Sequence, residues 1–257
     1  MIFPQNDLIV HVYAAMWNEH KILPFFLKHY GKFAEKIFLY DNMSDDGSAQ
    51  IALAHPKVEV VQFDTCGKFR EDVLIDIRSY EWKKSRGKAH WVIVCDVDEF
   101  IWHPYLIPHL KECTRKKITV CNVQGFQMVS DHFPSLTKGQ VYDQIRTGYP
   151  FSDMNKKIVF NPNAIWDLLY SPGSHWIESI KGKVVWDTDR LVRLLHYKWL
   201  GAPYINWRYQ NLNNRIYQPT LRDLGWNGHY AASEQIIKDL LREKLNMAQD
   251  VVWGDWK

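Results

Sequence analysis

Four short apolar runs, each followed by polar residues, dominate the first hundred residues of the chain. The runs cover residues 7–13, 36–40, 58–63 and 91–95, and they are rich in β-branched and aromatic side chains. Runs of this length are too short for helices and are typical of buried strands. Strands that alternate with helices predict βαβ units and a mostly parallel sheet. We therefore expect an α/β protein with a central sheet flanked by helices.

The segments between the apolar runs predict the helices. The first shows apolar residues at helical spacing after Asn18, and Pro24 predicts a late start or a kink there. Further helices are expected at residues 49–54 and 68–84, where the apolar spacing changes from two to about 3.6 residues. This order of strands and helices predicts a parallel sheet, which binds ligands beyond the carboxyl ends of its strands.

The second half of the chain is less regular. Strands are expected at residues 118–129, 156–160 and 191–199, and helices at residues 202–217 and 233–249. No repeat, low-complexity tract or clear linker interrupts the sequence. One compact domain over all 257 residues is the simplest organisation.

Polar side chains follow three of the four apolar runs. The run at 91–95 leads straight into three carboxylates within four positions. Because carboxyl ends of parallel strands meet at one edge of a sheet, we expect these side chains to lie close together. Two carboxylates at a turn can approach one hard divalent cation, such as Mg²⁺ or Mn²⁺, whose other ligands are often phosphate oxygens. The residues concerned are Asn18, Glu19, Asp41, Asp96, Asp98 and Glu99.

These stretches together resemble the family 2 glycosyltransferases, and in particular a family 2-like branch that reads D-N-x-S-x-D-G-S and D-x-D-E-F. The chain has NE at residues 18–19, DNMSDDGS at 41–48 and DVDEF at 96–100. Arg78 lies eighteen residues before Asp96, where the family usually has Ala-Arg-Asn, and only the Arg is kept here. The resemblance covers roughly residues 8–104 well and is weaker beyond them.

The resemblance implies a GT-A fold and a role for each of these residues. Asn18, Glu19, Asp41, Arg78 and Asp96 would contact the nucleotide of a nucleoside-diphosphate-sugar donor. Asp96 and Asp98 would hold Mn²⁺ or Mg²⁺, and His175 would supply a later metal or phosphate contact. The domain would then have a nucleotide-sugar-binding half at about 1–104, an acceptor-side half at about 105–230, and a C-terminal helix and tail at 231–257.

An inverting transfer, as in family 2, needs a general base near the acceptor hydroxyl. The candidates after the DxD motif are Asp131, Asp153 and Glu178. Asp131 is preferred because it directly follows a predicted strand, and Glu178 is the alternative. No Glu-Asp pair of the kind expected in this family is found in the region, so the identity of the base stays open.

Composition limits the partners and the location. The net charge of +3 does not call for a nucleic-acid partner, and no stretch approaches the roughly 18 apolar residues of a membrane span. The N-terminus lacks a signal peptide and the four cysteines lack CxxC spacing, so we expect reduced thiols and no zinc site. The expectation is a cytoplasmic protein, with peripheral contact at a membrane face and the oligomeric state left open.

The sequence therefore predicts a metal-dependent glycosyltransferase that moves a sugar from a nucleoside diphosphate to a glycan or glycolipid acceptor. The alternative is a catalytically silent carbohydrate-binding or scaffold protein on the same fold. A haloacid-dehalogenase-type phosphatase is disfavoured because three strands precede the DxD motif. A nucleotidyltransferase is disfavoured because no Gly-rich basic loop follows the first strand.

Overall fold

The structure is a computed structural model, and it describes residues 8–189, 191–215 and 232–253. The strands are β1 (Val10–Met16), β2 (Lys36–Asp41), β3 (Val58–Gln62), β4 (Trp91–Asp96), β5 (Glu99–Trp102), β6 (Gln124–Ser130), β7 (Thr147–Pro150), β8 (Val159–Phe160), β9 (Ile165–Tyr170), β10 (Ile177–Gly182), β11 (Arg193–Leu200) and β12 (Gln249–Asp250). The helices are α1 (Leu23–Tyr30), α2 (Ser48–Leu53), α3 (Glu71–Tyr80), α4 (Leu106–Arg115), α5 (Val141–Gln144), α6 (Ala202–Arg215) and α7 (Glu234–Met247).

The first sheet has the strand order β3-β2-β1-β4-β8. β1 to β4 run parallel, and only β8 is antiparallel to its neighbour β4. The crossovers between the parallel strands carry α1, α2 and α3, and α3 continues into a 3₁₀ turn at Glu81–Ser85. The expected α/β fold, a mostly parallel central sheet flanked by helices, is confirmed.

The second sheet has the order β12-β7-β6-β11-β5, and β9 pairs with β10 in a separate antiparallel hairpin. β11 pairs parallel with β6 on one side and antiparallel with β5 on the other. Since β5 follows β4 after only two residues, this pairing connects the two sheets at the end of β4. The Asp96-Val97-Asp98 stretch is therefore the corner where the chain leaves the first sheet for the second.

One hydrophobic core extends across both sheets. Trp82 and Trp91 are fully buried in it, and Trp82 packs edge-on against Phe160 of β8 with ring centroids 4.9 Å apart. The Trp91 Nε1 donates to Thr114 Oγ1 of α4 at 2.9 Å, so its polar atom is satisfied within the core. These contacts fix the first sheet against the elements that follow it.

The predicted elements of the first half lie close to the observed ones. β1 begins three residues later than expected, and residue 7, the predicted start, lies outside the described residues. Pro24 falls in the first turn of α1, where its missing N–H costs no hydrogen bond.

The second half differs more from the prediction. Residues 118–123 form an irregular segment, so β6 is shorter than the strand expected at 118–129. The helix α4 and the β9–β10 hairpin have no counterpart among the predicted elements. Residues 216–217 of a predicted helix lie outside the described residues. Within the described part of the chain, we find no helix of the length and apolar character that a membrane crossing requires.

His29 of α1 is buried between α1 and β5. Its Nε2 donates to the Ile101 carbonyl at 2.9 Å, and its Nδ1 faces the Tyr142 hydroxyl at 3.3 Å. Burial lowers the pKa of His29 from 6.5 to about 3, so the folded protein keeps the ring neutral in weak acid. The unfolded chain protonates this ring near pH 6.5, and folding must then release that proton.

We predict that His29 makes the protein less stable as the pH falls from 6.5 towards 3. The free energy of unfolding loses about 1.4 kcal/mol per pH unit from this group. His29→Gln lowers stability at neutral pH but flattens this dependence, as urea unfolding at several pH values would show. His132→Gln, which changes an exposed histidine, is the control. Parallel pH curves for wild type and His29→Gln would contradict the prediction.

Candidate active site

A cavity of about 650 Å³ lies at the carboxyl ends of β1 and β4, where the two sheets meet. Polar and charged side chains from both sheets and from the helices α3, α6 and α7 border it. The charged residues among them are Glu19, Glu71, Arg78, Asp96, Asp98, Glu99, Asp153, Lys156, Lys198, Arg208, Arg215 and Lys244. Apolar surface between them comes mainly from aromatic side chains such as Trp17, Tyr149 and Trp199. The cavity is thus large enough for a small organic molecule and carries both signs of charge.

The carboxylates of Glu19 and Asp98 share one cation. Arg208 of α6 donates from Nη1 to Asp98 Oδ2 at 2.5 Å and from Nη2 to Glu19 Oε1 at 2.8 Å. Both carboxylates are almost fully buried, so this cation is their main compensation. The arrangement brings the end of β1 and the β4–β5 corner, separated by about eighty residues, into one acidic cluster.

Glu19 is only partly compensated. Its Oε2 is buried and has no hydrogen-bond partner among the described residues. Burial raises the pKa of Glu19 to about 8, because Arg208 offsets it only in part and Asp98 lies nearby. Burial acts in the same direction on Asp98, but Arg208 and His196 outweigh it and hold the pKa of Asp98 well below its usual range.

Arg78 of α3 holds the other aspartate of the corner. Its Nη2 donates to Asp96 Oδ1 at 2.9 Å, and its Nη1 donates to Glu71 Oε1 at 3.0 Å. Glu71 Oε1 also accepts from the Gly173 N–H at 2.7 Å, which connects α3 to the loop between β9 and β10. Burial acts against ionisation of Asp96, but Arg78 and Lys156 outweigh it and lower the pKa of Asp96.

Glu99 and Lys156 form a buried ion pair below the cavity. Both side chains are almost completely excluded from solvent, and the Lys156 ammonium donates to Glu99 Oε1. Glu99 Oε2 accepts from the Asp96 N–H at 3.2 Å, which fixes the corner. Burial opposes the charge on Lys156, but Glu99 and Asp96 outweigh it and raise the pKa of Lys156. The third carboxylate of the DVDEF stretch is therefore structural support for the other two.

His196 of β11 faces the acidic cluster. Among the described residues, no hydrogen-bond donor contacts its Nε2. Gln127 Nε2 donates to the His196 carbonyl at 3.0 Å, so the Gln127 Oε1 is left to accept from His196 Nδ1 at 3.0 Å. With the proton on Nδ1, the Nε2 directs a lone pair towards Asp98 Oδ2, 3.3 Å away. That position is suited to a cation held between the two atoms.

The sequence-predicted nucleotide residues lie at different depths. Glu19, Arg78 and Asp96 border the cavity. Asp41 is fully buried behind it, where its Oδ1 accepts from the Ser44 N–H at 3.1 Å. Asn18 pairs with Asp45 through Nδ2 at 2.7 Å, and the neighbour of Asp41, Asn42, is the residue that reaches the cavity surface.

The three candidate bases are also separated by the fold. Asp131 is exposed and pairs with His132 at 2.6 Å, away from the cavity lining. Glu178 is exposed and accepts from Trp176 Nε1 at 2.6 Å, also outside the lining. Asp153 borders the cavity beside His175, whose Nδ1 donates to the Asp153 carbonyl at 3.0 Å.

Several site residues have no clear signal in the sequence. Arg208 lies 110 residues after Asp98 within an ordinary helical pattern, so only the fold shows that the two meet. Lys198 of β11 also borders the cavity, and burial, reinforced by Arg208, lowers its pKa to about 8. Lys156 and His196 lie in strands expected from the sequence, at residues 156–160 and 191–199, but the strand pattern does not mark either residue as part of the site.

No protein family and no curated protein matches the sequence. Among solved structures, the chain is similar to S. aureus TarS 1-349, at 12% identity and a TM-score of 0.47 over 93% of this chain and 71% of that chain. It is also similar to S. aureus TarS 1-349 in complex with UDP-GlcNAc, at 13% identity and a TM-score of 0.46 over 93% of this chain and 72% of that chain. At this level of likeness, what the chain does has to be argued from its own residues.

The buried Glu99–Lys156 pair gives a prediction about stability. Lys156→Met leaves Glu99 as an uncompensated buried charge and should lower the free energy of unfolding by about 3–5 kcal/mol. The double variant Glu99→Gln with Lys156→Met removes both charges at nearly constant volume and should recover part of that loss. Urea unfolding would measure all three proteins. A double variant no more stable than Lys156→Met would show that the two charges are not coupled.

Proposed function

We propose that the chain is a metal-dependent glycosyltransferase of the GT-A type. It moves a sugar from a nucleoside-diphosphate-sugar donor to a glycan or glycolipid acceptor, with inversion, in polysaccharide or related glycan synthesis. The observation that carries the proposal is the acidic corner of Asp96 and Asp98, which opens into a cavity also bordered by Glu19, Arg78 and Arg208. This arrangement supports binding of a phosphate-bearing ligand, because it combines hard oxygen donors with guanidinium groups.

The donor nucleotide is proposed to lie over the ends of β1 and β4. Arg78 would contact it directly, and its guanidinium is held in place by Asp96 and Glu71. Glu19 would face the nucleotide from the end of β1. The buried Asp41 and the Asn18–Asp45 pair would act through the turn that follows β2, by holding Asn42 at the cavity surface.

The donor atoms at the acidic cluster fit a hard divalent cation. Asp98 Oδ2 and His196 Nε2 face each other at 3.3 Å, and the buried Glu19 Oε2 is unpartnered among the described residues. Asp98 and His196 would hold Mn²⁺ or Mg²⁺, with Asp96 and His175 as the further ligands that the resemblance implies. When bound, such a cation offsets the negative charge that builds on a departing diphosphate.

The protein's own groups supply the rest of the chemistry. Arg208 and Lys198 are cations that border the same cavity and can balance phosphate oxygens there. Asp153 is the candidate base best placed to take the proton from an acceptor hydroxyl, because it alone of the three borders the cavity. Trp176 is exposed at the cavity edge, where an aromatic face can stack on a sugar ring.

The proposal keeps the partners expected from the sequence. These are the nucleotide-sugar donor and a glycan or glycolipid acceptor, with no nucleic acid. Acceptor identity would decide whether the protein works in the cytoplasm at large or at a membrane face. The domain division at about residues 104 and 230 remains part of this proposal, with the donor on the first part and the acceptor on the second.

We predict that the two aspartates of the corner are needed for transfer. Asp98→Asn and Asp96→Asn should each lower the rate about 100-fold or more, because each removes a ligand of the proposed cation that offsets charge on the departing diphosphate. The assay would measure nucleoside diphosphate release from a panel of nucleotide-sugars, with Mn²⁺ and with a chelator. Asp239→Asn, on the exposed face of α7, is the matched control.

The same panel separates the enzyme from the silent alternative. A glycosyltransferase gains thermal stability from one nucleoside diphosphate, and gains more with Mn²⁺, because the ligand binds only the folded state. A silent carbohydrate-binding protein would respond to free glycans but to no nucleotide. Full activity in both Asn variants would contradict the proposal.

We further predict that Asp153 is the base. Asp153→Asn should reduce transfer about 10²–10⁴-fold while the donor dissociation constant stays near the wild-type value. Asp131→Asn and Glu178→Gln change the two other candidates and should leave transfer within a few-fold of wild type. Single-turnover transfer and nucleotide titration would measure the two quantities. Loss of transfer in Asp131→Asn alone would return the role to the residue that the sequence favours.

A further inference from the structure

A second cluster of ligating side chains lies outside the cavity described above. It consists of His109 and Cys113 of α4, Cys121 in the segment before β6, and Asp187 in the connection from β10 to β11. One ligand atom from each residue lies within 4.8 Å of the ligand atoms of the other three. None of the four borders the active-site cavity.

The spacing of the cysteines in the sequence predicts no zinc site, but the fold assembles one from three separate segments. His109 and Cys113 are four residues apart on α4 and therefore share a face of the helix. The N–H groups of Thr119 and Val120 donate to the Val185 carbonyl, and the Asp187 N–H donates to the Val120 carbonyl. These backbone hydrogen bonds place Cys121 beside Asp187. Because the partners come from distant segments, no local motif marks them.

The distances match tetrahedral coordination. Tetrahedral zinc, with Zn–S of about 2.3 Å and Zn–N of about 2.0 Å, places its ligand atoms roughly 3.3–3.8 Å apart. Here His109 Nε2 lies 3.4 Å from Cys113 Sγ and 3.2 Å from Asp187 Oδ2. These two distances are close to those of a tetrahedral site, and all four ligand atoms lie within 4.8 Å of one another.

The residues around the cluster orient Asp187, and its buried carboxylate has no Lys or Arg partner among the described residues. Asp187 is 1% exposed. Its other oxygen, Oδ1, accepts from the Asp189 N–H at 3.1 Å, and its carbonyl accepts from Asn122. Hydrogen bonds of this kind orient a carboxylate towards a metal. Burial of an anion without a fixed cation is costly, and a divalent ion would offset that cost.

The thiols suit a metal as well. Cys113 lies on α4 and Cys121 in the segment before β6, and their Sγ atoms lie within 4.8 Å of each other. The thiolate is the form that binds metal. Cys113 and Cys121 are both buried and both free, so neither is committed to a disulfide.

We propose that His109, Cys113, Cys121 and Asp187 form a closed, structural Zn²⁺ site. Two thiolates, one imidazole and one carboxylate complete four-coordination and leave no position for substrate, which is typical of structural zinc. Thiolate ligands select zinc over Mg²⁺ and Mn²⁺, so this site and the acidic corner take different metals. The bound ion would fasten α4 to the segment before β6 and to the connection that leads into β11.

The test is performed on the full chain, purified with zinc and separately loaded with Co²⁺. We expect one zinc per chain by elemental analysis, and a thiolate-to-cobalt charge-transfer band with visible bands of tetrahedral Co²⁺. Cys113→Ser and Cys121→Ser should each abolish the thiolate band or reduce it strongly, and Asp187→Asn should weaken metal affinity. Cys66→Ser, which changes an exposed cysteine, should leave the spectrum unchanged.

Asp98→Asn separates this site from the proposed donor site, because it removes a ligand only there. The thiolate band should persist in that variant even if transfer is lost. Chelation of zinc from wild type should lower its melting temperature. A wild-type protein that binds no zinc and shows no thiolate band, or that carries a Cys113–Cys121 disulfide by mass spectrometry, would overturn the proposal.

Discussion

Compensation of buried negative charge is the constraint on which this structure depends. Four carboxylates, from Glu19, Asp96, Asp98 and Glu99, lie together at the junction of the two sheets. Three cations meet them, and each comes from a different part of the chain: Arg78, Lys156 and Arg208. Burial makes each unpaired carboxylate costly, so these cations must be in place for the junction to form.

Glu19 is the carboxylate of this cluster that the described cations compensate least, because its buried Oε2 has no hydrogen-bond partner among the described residues. The raised pKa of Glu19 expresses this incomplete compensation, because protonation is one way to neutralise that carboxylate. A divalent ion is another, and it would make the proton on Glu19 unnecessary. His196 Nε2 lies 3.3 Å from Asp98 Oδ2, and Asp98 shares Arg208 with Glu19, so the imidazole belongs to the same cluster. A cation bound at this cluster would compensate Glu19, in agreement with the metal site proposed above.

The first half of the fold could be predicted because its information is local. Each parallel strand is a short apolar run, and the residues after it fall at one sheet edge by geometry alone. Strand order along the chain is therefore enough to identify Glu19, Asp96 and Asp98 as neighbours. Strand order does not show which of Asp41 and Asn42 borders the cavity. Asp41 is fully buried behind the cavity, whereas the next residue, Asn42, borders it.

The second half could not be predicted in the same way. β11 pairs with β6 and with β5, and both are far from it along the chain. The sequence of a strand does not identify the strand with which it pairs. Arg208 lies in a helix whose apolar spacing explains its fold but not its contact with Asp98. Asp131 follows a strand as expected, yet that strand belongs to the second sheet, and Asp131 is exposed and lies outside the cavity lining.

The two polar clusters obey the same rule and differ in chemistry. Each gathers residues from distant segments, and each buries anionic ligands with too few Lys or Arg among the described residues to balance them. At the acidic corner the ligands are mainly oxygens beside an open cavity, which suits a hard ion that shares its coordination with phosphate. At α4 they include two buried cysteines, which suits the proposed zinc ion with all of its ligands from protein. The path of the chain explains this difference. β5 and β11 leave the acidic corner open to the cavity, whereas the segment before β6 lies against α4 and covers the other cluster.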